Sequence, residues 1–210
     1  PVDQVVGRLS RAGIGNGTQV VLYSATNPMW ATRVWWMLRA VGFDNAMILN
    51  GGLAKWVAEK RPVAQGIDAY EPAEFKPAFR PELFVGKQKV LAALGDGPTL
   101  LIHALSRAVF EGRNQTYIFG RKGRIPGSIN LPAEELHDPA SGAYHPAHVL
   151  RAMFEDVGAS QKDPVICYCG GGVNATNNAF VMFLLGYDNV TVYDGSMSEW
   201  GNDPSLPVEQ

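Results

Sequence analysis

Cys169 is the residue whose side chain and sequence context best fit a chemically reactive group. It is the last residue of the β-rich run VICYC and is followed by a glycine-rich loop. We expect the backbone of this loop to surround the cysteine side chain as a cradle of N–H groups, supplied by Gly170, Gly171, Gly172, Val173, Asn174 and Ala175. Glycines let the backbone turn tightly with its N–H groups facing inward, and a following helix adds its positive end. Such a cradle stabilises a thiolate, which is the reactive form of cysteine, and also an anionic persulfide. The pattern predicts nucleophilic sulfur chemistry at Cys169.

Three other interpretations of this loop compete with the first. A buried cysteine before a glycine-rich turn would explain the local composition without any chemistry. The spacing Gly170-x-Gly172-x-x-Ala175, followed by Asp194 at the end of the next strand-like run, also fits a dinucleotide-binding fingerprint, although a cysteine has no use there. A phosphate-binding Cys-x5-Arg loop is the poorest fit, because Ala175 occupies the position of its arginine.

Other residues of the second half are weighed by their type and surroundings. Arg107, Arg113 and Arg124 are assigned to the binding of an anionic substrate, with a solvated surface as the competing interpretation. Guanidinium is the cation that best fits sulfonate or carboxylate. Cys167 lies inside an apolar run and is expected in the core. His103 is expected to be structural.

The bulk composition is that of an ordinary globular protein. The 210 residues are 46% hydrophobic and 18% charged, and the formal net charge is -2. This balance gives no support for binding nucleic acid or an anionic membrane, and no apolar run reaches the roughly 20 residues of a membrane span. The two cysteines are too few for a disulfide scaffold or a structural zinc site. We therefore expect a metal-free chain with reduced thiols, and a cytoplasmic location.

An internal repeat organises the elements that must position the cysteine. The run VVLYS, which ends at Ser24, resembles VICYC, which ends at Cys169, and AVGFDNAMILNGGLAKW resembles LLGYDNVTVYDGSMSEW. Gly42 and Gly186 occupy matching positions in the longer pair, 144 residues apart. Each copy consists of a strand-like run, a turn, a helix ending at a glycine, and a second strand-like run. This alternation predicts parallel α/β units.

Local signals also set the expected boundaries. Asn27 and Pro28 are expected to begin the helix of the first copy, and Gly42 and Gly186 to end the two helices. The second copy has upstream parts whose counterparts would precede residue 1, so the first unit is expected to be N-terminally incomplete. The expected division is a partial unit over 1–64, an extended linker over 65–81 and a second unit over 82–210.

These motifs resemble the tandem-domain rhodanese family of thiosulfate and 3-mercaptopyruvate sulfurtransferases. The matching stretches are MWATRVWWMLRAVGF and LNGGLAKW in the first half, then RIPGSINLP, YCGGGVNAT and YDGSMSEW in the second. The resemblance implies two rhodanese-like domains, each a mainly parallel sheet flanked by helices. It implies that the second is catalytic and that the first, with Ser24 opposite Cys169, is inactive. It also implies transfer of sulfur from thiosulfate or 3-mercaptopyruvate, through a Cys169 persulfide, to a thiol or cyanide, without a cofactor.

The sequence departs from the family pattern at several positions near the expected donor site. Leu105 and Val109 stand where the family carries arginines, and Gly170 and Gly171 stand where it carries cations or a serine. The choice between thiosulfate and 3-mercaptopyruvate therefore stays open. The same departures favour an alternative function, in which the protein is a non-enzymatic persulfide carrier or sensor bound to a partner protein.

Overall fold

The structure is a computed structural model that describes residues 2–95 and 97–210. It divides into two compact units. The first comprises Pro1–Pro81 together with Pro139–Ala143, and the second comprises Glu82–Asp138 together with Tyr144–Gln210. Among the described residues there is no helix with the length and apolar character that a bilayer crossing requires.

The first unit is built on a small parallel sheet. Its strands β1 and β2 pair with Val20 opposite Ala46. In chain order its elements are α1 (Val2–Arg11), β1 (Val20–Leu22), α2 (Met29–Ala40), β2 (Ala46–Ile48) and α3 (Gly52–Ala58).

Helix α2 begins and ends where the local signals indicate. The Asn27 side-chain oxygen accepts a hydrogen bond of 2.9 Å from the Met29 N–H, as expected of an N-cap. At the other end Gly42 has a φ of 86°, a left-handed conformation that glycine adopts without strain. The next N–H, of Phe43, donates to the Leu38 carbonyl at 2.8 Å and closes the helix. Both predicted ends of α2 are confirmed.

Residues 65–80 contain no helix or strand, and part of this stretch lies against the first unit. The Ala78 N–H donates to the Val41 carbonyl at 3.0 Å. The buried Phe75 ring packs edge-on against Phe43, with ring centroids 5.8 Å apart. The extended conformation expected of this stretch is therefore accompanied by specific contacts.

The second unit is built on a five-stranded, fully parallel sheet with the order β3-β7-β6-β4-β5. Its strands are β3 (Phe84–Val85), β4 (Leu100–His103), β5 (Ile129–Asn130), β6 (Val165–Tyr168) and β7 (Val190–Tyr193). Its helices are α4 (Lys87–Ala92), α5 (Arg107–Phe110), α6 (Ala147–Asp156), α7 (Val173–Leu184) and α8 (Ser196–Trp200), with short 3-10 turns at Pro81–Leu83 and Ala133–Leu136.

Strand β6 lies at the centre of this sheet, between β4 and β7. All four of its residues are buried, as expected of a parallel strand covered on both faces. Tyr168 at its end packs in a core cluster with Tyr193, Met197 and Trp200. The central strand thus ends in a rigid, fully packed environment, immediately before Cys169.

The internal repeat appears as two copies of the same strand, helix and strand order. β1, α2 and β2 in the first unit correspond to β6, α7 and β7 in the second. Gly186 ends α7 with a φ of 84°, as Gly42 ends α2. The prediction of parallel α/β architecture with flanking helices is confirmed.

Candidate active site

Cys169 directly follows β6, at the edge of the sheet where the neighbouring strands β4 and β7 also end. The carboxyl edge of an open parallel sheet is where such folds bind ligands. The cysteine is 2% exposed, whereas Gly171 in the same loop is exposed. The side chain of Cys169 is therefore almost completely shielded from solvent.

The start of α8 holds the backbone of the cysteine in place. The Cys169 N–H donates to the Ser196 side-chain oxygen at 3.0 Å, and the Met197 N–H donates to the Cys169 carbonyl at 3.1 Å. Ser198 donates twice to the Gly170 carbonyl, from its N–H at 2.8 Å and from its hydroxyl at 2.6 Å. The sequence analysis did not identify this contact between Ser196 and the cysteine.

The loop leaves a row of backbone N–H groups beside the cysteine. Gly172 has a φ of 78° and turns the chain into α7, which begins at Val173. Within the described part of the chain, no backbone oxygen accepts a hydrogen bond from the N–H groups of residues 170–175. Helix α7 is 12 residues long, and its N-terminus adds partial positive charge. An anion at this turn would meet several available donors.

The ring of Phe119 covers this loop, and the ring of Tyr117 packs against Phe119. A Cβ atom added to Gly170 would lie 2.5 Å from the Cε2 and Cζ atoms of the Phe119 ring, so only glycine permits this approach. The Phe119 ring in turn meets the Tyr117 ring edge-on, with centroids 5.5 Å apart. Burial and the negative charge of Cys169 raise the pKa of Tyr117 to about 12. Neither aromatic residue was identified from the sequence.

Arg121 fixes the covering segment at its C-terminal end. Its guanidinium donates to the carbonyls of Gly201 at 3.1 Å, and of Asp203 and Leu206 at 2.7 Å each. Its backbone N–H also donates to the Gly201 carbonyl at 3.1 Å. Arg121 therefore ties the segment that carries Phe119 to the chain after α8.

The three arginines assigned to substrate binding make contacts elsewhere or project into solvent. Arg124 pairs with Glu209, and its guanidinium lies 4.6 Å from the ring centroid of Phe110. Arg113 pairs with Glu111, and Arg107 is exposed on α5. No hydrogen bond or ion pair within residues 2–95 and 97–210 joins any of the three to the Cys169 loop.

Cys167 and His103 lie deep in the second unit. Cys167 is fully buried within β6, and burial together with the charge of Cys169 raises the pKa of its thiol. His103 is also fully buried, and burial together with the charge of Arg124 lowers its pKa to about 3. Neither His103 ring nitrogen has a hydrogen-bond partner among the described residues. Its ring packs against Tyr168, with centroids 4.8 Å apart.

The corresponding loop of the first unit has the same backbone hydrogen bond to its carbonyl but no thiol. We call this shared hydrogen bond the closure. Ser24 follows β1 as Cys169 follows β6, and its side-chain oxygen accepts a hydrogen bond from the Thr26 N–H at 3.3 Å. The Leu53 N–H donates to the Ser24 carbonyl at 3.1 Å, the contact that Met197 makes with Cys169. The two loops therefore share one closure and differ in the side chain that it presents.

In the part of the chain that the structure describes, no group of three or more His, Cys, Asp and Glu side chains is placed to hold a metal ion. Both cysteines are unpaired thiols.

Comparisons with known proteins point to one family. A family model described as Rhodanese-like domain matches residues 1–59 and 67–203. A 3-mercaptopyruvate sulfurtransferase of Escherichia coli is 35% identical over 198 residues, which is 94% of this chain and 70% of that protein. The sulfur carrier protein TtuD of Thermus thermophilus is 32% identical over 212 residues, which is 95% of this chain and 74% of that protein.

Solved structures agree with the sequence comparison. The wild-type structure of EanB superimposes on the whole of this chain with a TM-score of 0.90 and 25% sequence identity. The present chain spans about half of that protein, covering 54% of its length.

Proposed function

The chain belongs to the rhodanese-like domain family, and on that basis we propose that it is a sulfurtransferase that carries sulfane sulfur as a persulfide on Cys169. One observation supports this assignment above the others. Cys169 ends the central strand beside the N–H groups of residues 170–175, for which no backbone acceptor exists within the described chain. Fixed donors of this kind stabilise negative charge without needing to reorient during a reaction.

In the first half of the proposed reaction, Cys169 takes sulfur from a small anionic donor. The thiolate attacks the outer sulfur of thiosulfate, a new S–S bond forms, and the old S–S bond breaks with its electron pair leaving on sulfite. With 3-mercaptopyruvate the C–S bond breaks instead, and the pyruvate carbon takes the proton of the donor thiol. Both routes leave one negative charge on the outer sulfur of the persulfide, next to the amides of Gly170, Gly171 and Gly172.

In the second half, an acceptor removes the outer sulfur. Cyanide attacks that sulfur to give thiocyanate, or a thiolate attacks it to give a new persulfide, and the electron pair of the S–S bond returns to Cys169. No electrons enter or leave the protein in either half. The backbone clamp from Ser196, Met197 and Ser198 keeps the cysteine fixed while the charge moves between its sulfur and the outer one.

The organisation proposed for the chain follows the position of the thiol. We assign catalysis to residues 82–210, with a linker over 65–81, and an inactive partial domain to residues 1–64, in which Ser24 occupies the position of Cys169. The two unpaired cysteines suit a reducing compartment, so we propose a cytoplasmic location.

A second candidate function is that of a persulfide carrier, which receives sulfur from a protein and passes it to a protein. Arg113 and Arg124 are occupied by Glu111 and Glu209, and Leu105 and Val109 supply no charge for a small anionic donor. One of the similar proteins is named a sulfur carrier protein. A carrier needs the same Cys169 persulfide but does not need fast turnover with small donors.

Mass spectrometry of the whole chain tests the proposed function. After exposure to thiosulfate or 3-mercaptopyruvate, Cys169 is expected to gain the mass of one sulfur atom, and cyanide is expected to remove it. The Cys169→Ser variant should gain nothing, and the matched variant Cys167→Ser should load like the wild type because Cys167 is sealed within β6. Unaltered turnover in Cys169→Ser would refute the assignment.

Steady-state rates separate the enzyme from the carrier. An enzyme turns over repeatedly with one small donor and cyanide. A carrier loads once from a persulfidated protein and shows negligible turnover with thiosulfate and with 3-mercaptopyruvate. The comparison of the two small donors also determines which of them the protein prefers.

A further inference from the structure

The phenol hydroxyl of Tyr117 is a buried polar group beside the cysteine that the reaction described above does not use. The oxygen atom is buried and has no hydrogen-bond partner among residues 2–95 and 97–210. Leaving a buried hydroxyl unpaired costs about 1–3 kcal/mol, so such groups are uncommon in native proteins. An unpaired donor of this kind, next to a nucleophile, calls for a partner that arrives during the reaction.

The position of Tyr117 is fixed by the cover over the active-site loop. Its ring packs on Phe119, which packs on Gly170, and Arg121 anchors the same segment to the carbonyls that follow α8. Both aromatic rings also rest on the core cluster that contains Tyr168 and Met197. The hydroxyl is therefore carried by a packed ring and not by a free side chain.

Burial and a neighbouring charge both act on the pKa of the Tyr117 hydroxyl. Burial raises the pKa of Tyr117 to about 12, and the second cause is the negative charge of Cys169. The other titratable group that interacts with it is the buried phenol of Tyr168, whose own oxygen contacts Ser128 at 2.6 Å. Tyr117 therefore stays protonated, as a donor, at neutral pH.

We propose that the Tyr117 hydroxyl donates a hydrogen bond to the outer sulfur of the Cys169 persulfide, the partner that arrives during the reaction. The inference rests on the proposed sulfurtransferase function. When the persulfide forms, the S–S bond of the donor breaks, sulfite leaves with the electron pair, and the phenol proton stays on Tyr117 throughout. Tyr117 would thus supply a neutral donor in a chain that has Leu105 and Val109 where the family pattern has arginines.

The variant Tyr117→Phe tests this hydrogen bond, because it removes the hydroxyl and keeps the ring. The pH profile for alkylation of the Cys169 persulfide by iodoacetamide is expected to move to higher pH, because the anionic outer sulfur loses a hydrogen-bond donor. Loading of sulfur from thiosulfate is expected to slow about tenfold, mainly in kcat and with little change in KM, because hydrogen bonds to charged groups are the stronger ones. A purely structural tyrosine would not move the pH profile.

Tyr187→Phe is the matched control. It removes another buried phenol hydroxyl of the second unit, one that contacts the Ala159 carbonyl at 3.5 Å, and it should leave the profile and the loading rate unchanged. Should Tyr117→Phe fold poorly, ultraviolet titration of the phenols in wild type and in Cys169→Ser gives a second measurement. Removing the sulfur charge should let Tyr117, whose pKa is about 12, ionise at lower pH.

The outcomes separate the two proposals. An unchanged alkylation profile in well-folded Tyr117→Phe, or an unchanged phenol titration in Cys169→Ser, overturns the hydrogen bond and leaves the sulfurtransferase function intact. A wild-type protein that takes up no sulfur defeats the function and this inference together, whereas loss of the hydrogen bond alone leaves sulfur loading in place.

Discussion

The side-chain oxygen of Ser196 accepts the backbone N–H of Cys169 at 3.0 Å, and Ser196 does so with a φ of 48°. That conformation is uncommon in residues other than glycine and costs of order 1 kcal/mol or more. The Ser196 hydroxyl also donates to the Tyr193 carbonyl at 2.7 Å. One hydroxyl therefore joins the ends of β6 and β7 at the site of the nucleophile.

Replacing Ser196 by alanine is expected to make the position of the Cys169 backbone less fixed. The change leaves the buried Cys169 N–H without its acceptor, which should lower the free energy of unfolding by about 1–3 kcal/mol. Urea unfolding measures that loss, and sulfur loading of Cys169 should slow about tenfold as its backbone loses position. Ser205→Ala, which removes an exposed hydroxyl bonded to Asp203, is the control and should change neither quantity. Wild-type loading by Ser196→Ala would contradict the clamp.

Removing the Phe119 ring is expected to expose the cysteine. Cys169 is 2% exposed while the ring rests on Gly170, so Phe119→Ala should raise the rate of Cys169 alkylation by iodoacetamide. We expect an increase of about tenfold, since reactivity follows the access of reagent to the thiolate. Phe79→Ala removes a half-exposed ring of the first unit and should leave the rate unchanged. A slower reaction in Phe119→Ala would show that the ring is not the barrier.

Gly170→Ala is expected to clash with the same ring. Its Cβ would lie 2.5 Å from two ring atoms of Phe119, and overpacking of this kind costs about 1–3 kcal/mol. Urea unfolding of Gly170→Ala, Phe119→Ala and the double variant forms a mutant cycle. Because the clash needs both groups, the double variant should lose less stability than the two single losses together. Additive losses would mean that Phe119 and Gly170 do not touch.

His103 is expected to weaken the fold in mild acid. Its folded-state pKa, about 3, lies below the ordinary value of 6.5 because burial and the charge of Arg124 disfavour the charged ring. The unfolded chain therefore takes up this proton first. The contribution to stability is complete above pH 6.5 and falls by up to about 1.4 kcal/mol per pH unit as the pH drops toward 3.

Urea unfolding at intervals between pH 7 and pH 5 measures the effect of His103. In this window the variant His103→Leu should show a clearly smaller loss of stability than the wild type, since it carries no buried imidazole. His148→Gln alters an exposed histidine of α6 and should keep the wild-type slope. Equal slopes in wild type and His103→Leu would mean that another group controls acid stability. The carboxylates Asp44 and Asp203, whose pKa values are lowered by their hydrogen bonds, act mainly at still lower pH.

Much of the fold could be predicted because its signals are local. The strand-like run before Cys169, the glycine turn after it and the helix that follows lie within about 20 consecutive residues, and each element obeys a simple rule of composition. Asn27 and Gly42 act at the helix ends where their types place them. The internal repeat gave further support to the predicted fold, since the same order of strand, turn, helix and strand occurs in both halves.

The cover over the cysteine could not be predicted, because it depends on a contact between distant segments. Phe119 meets Gly170 across about fifty residues of chain, and residues 113–123 contain no helix or strand whose period would have placed them. The ion pair of Arg124 was hidden for the same reason, because its partner Glu209 lies 85 residues further along the chain. Its assignment to substrate binding stays a prediction.

The closure shared by Ser24 and Cys169 has a consequence for how such a duplicated protein diverges. Because Leu53 and Met197 bind the two carbonyls at the same distance of 3.1 Å, the junction closes equally well with or without a sulfur atom. The backbone contact and the thiol therefore depend on different atoms, so a point mutation can exchange the thiol for a hydroxyl while the backbone contact persists. The half that carries Ser24 then serves as an internal reference, against which the effect of a single thiol can be judged within one molecule.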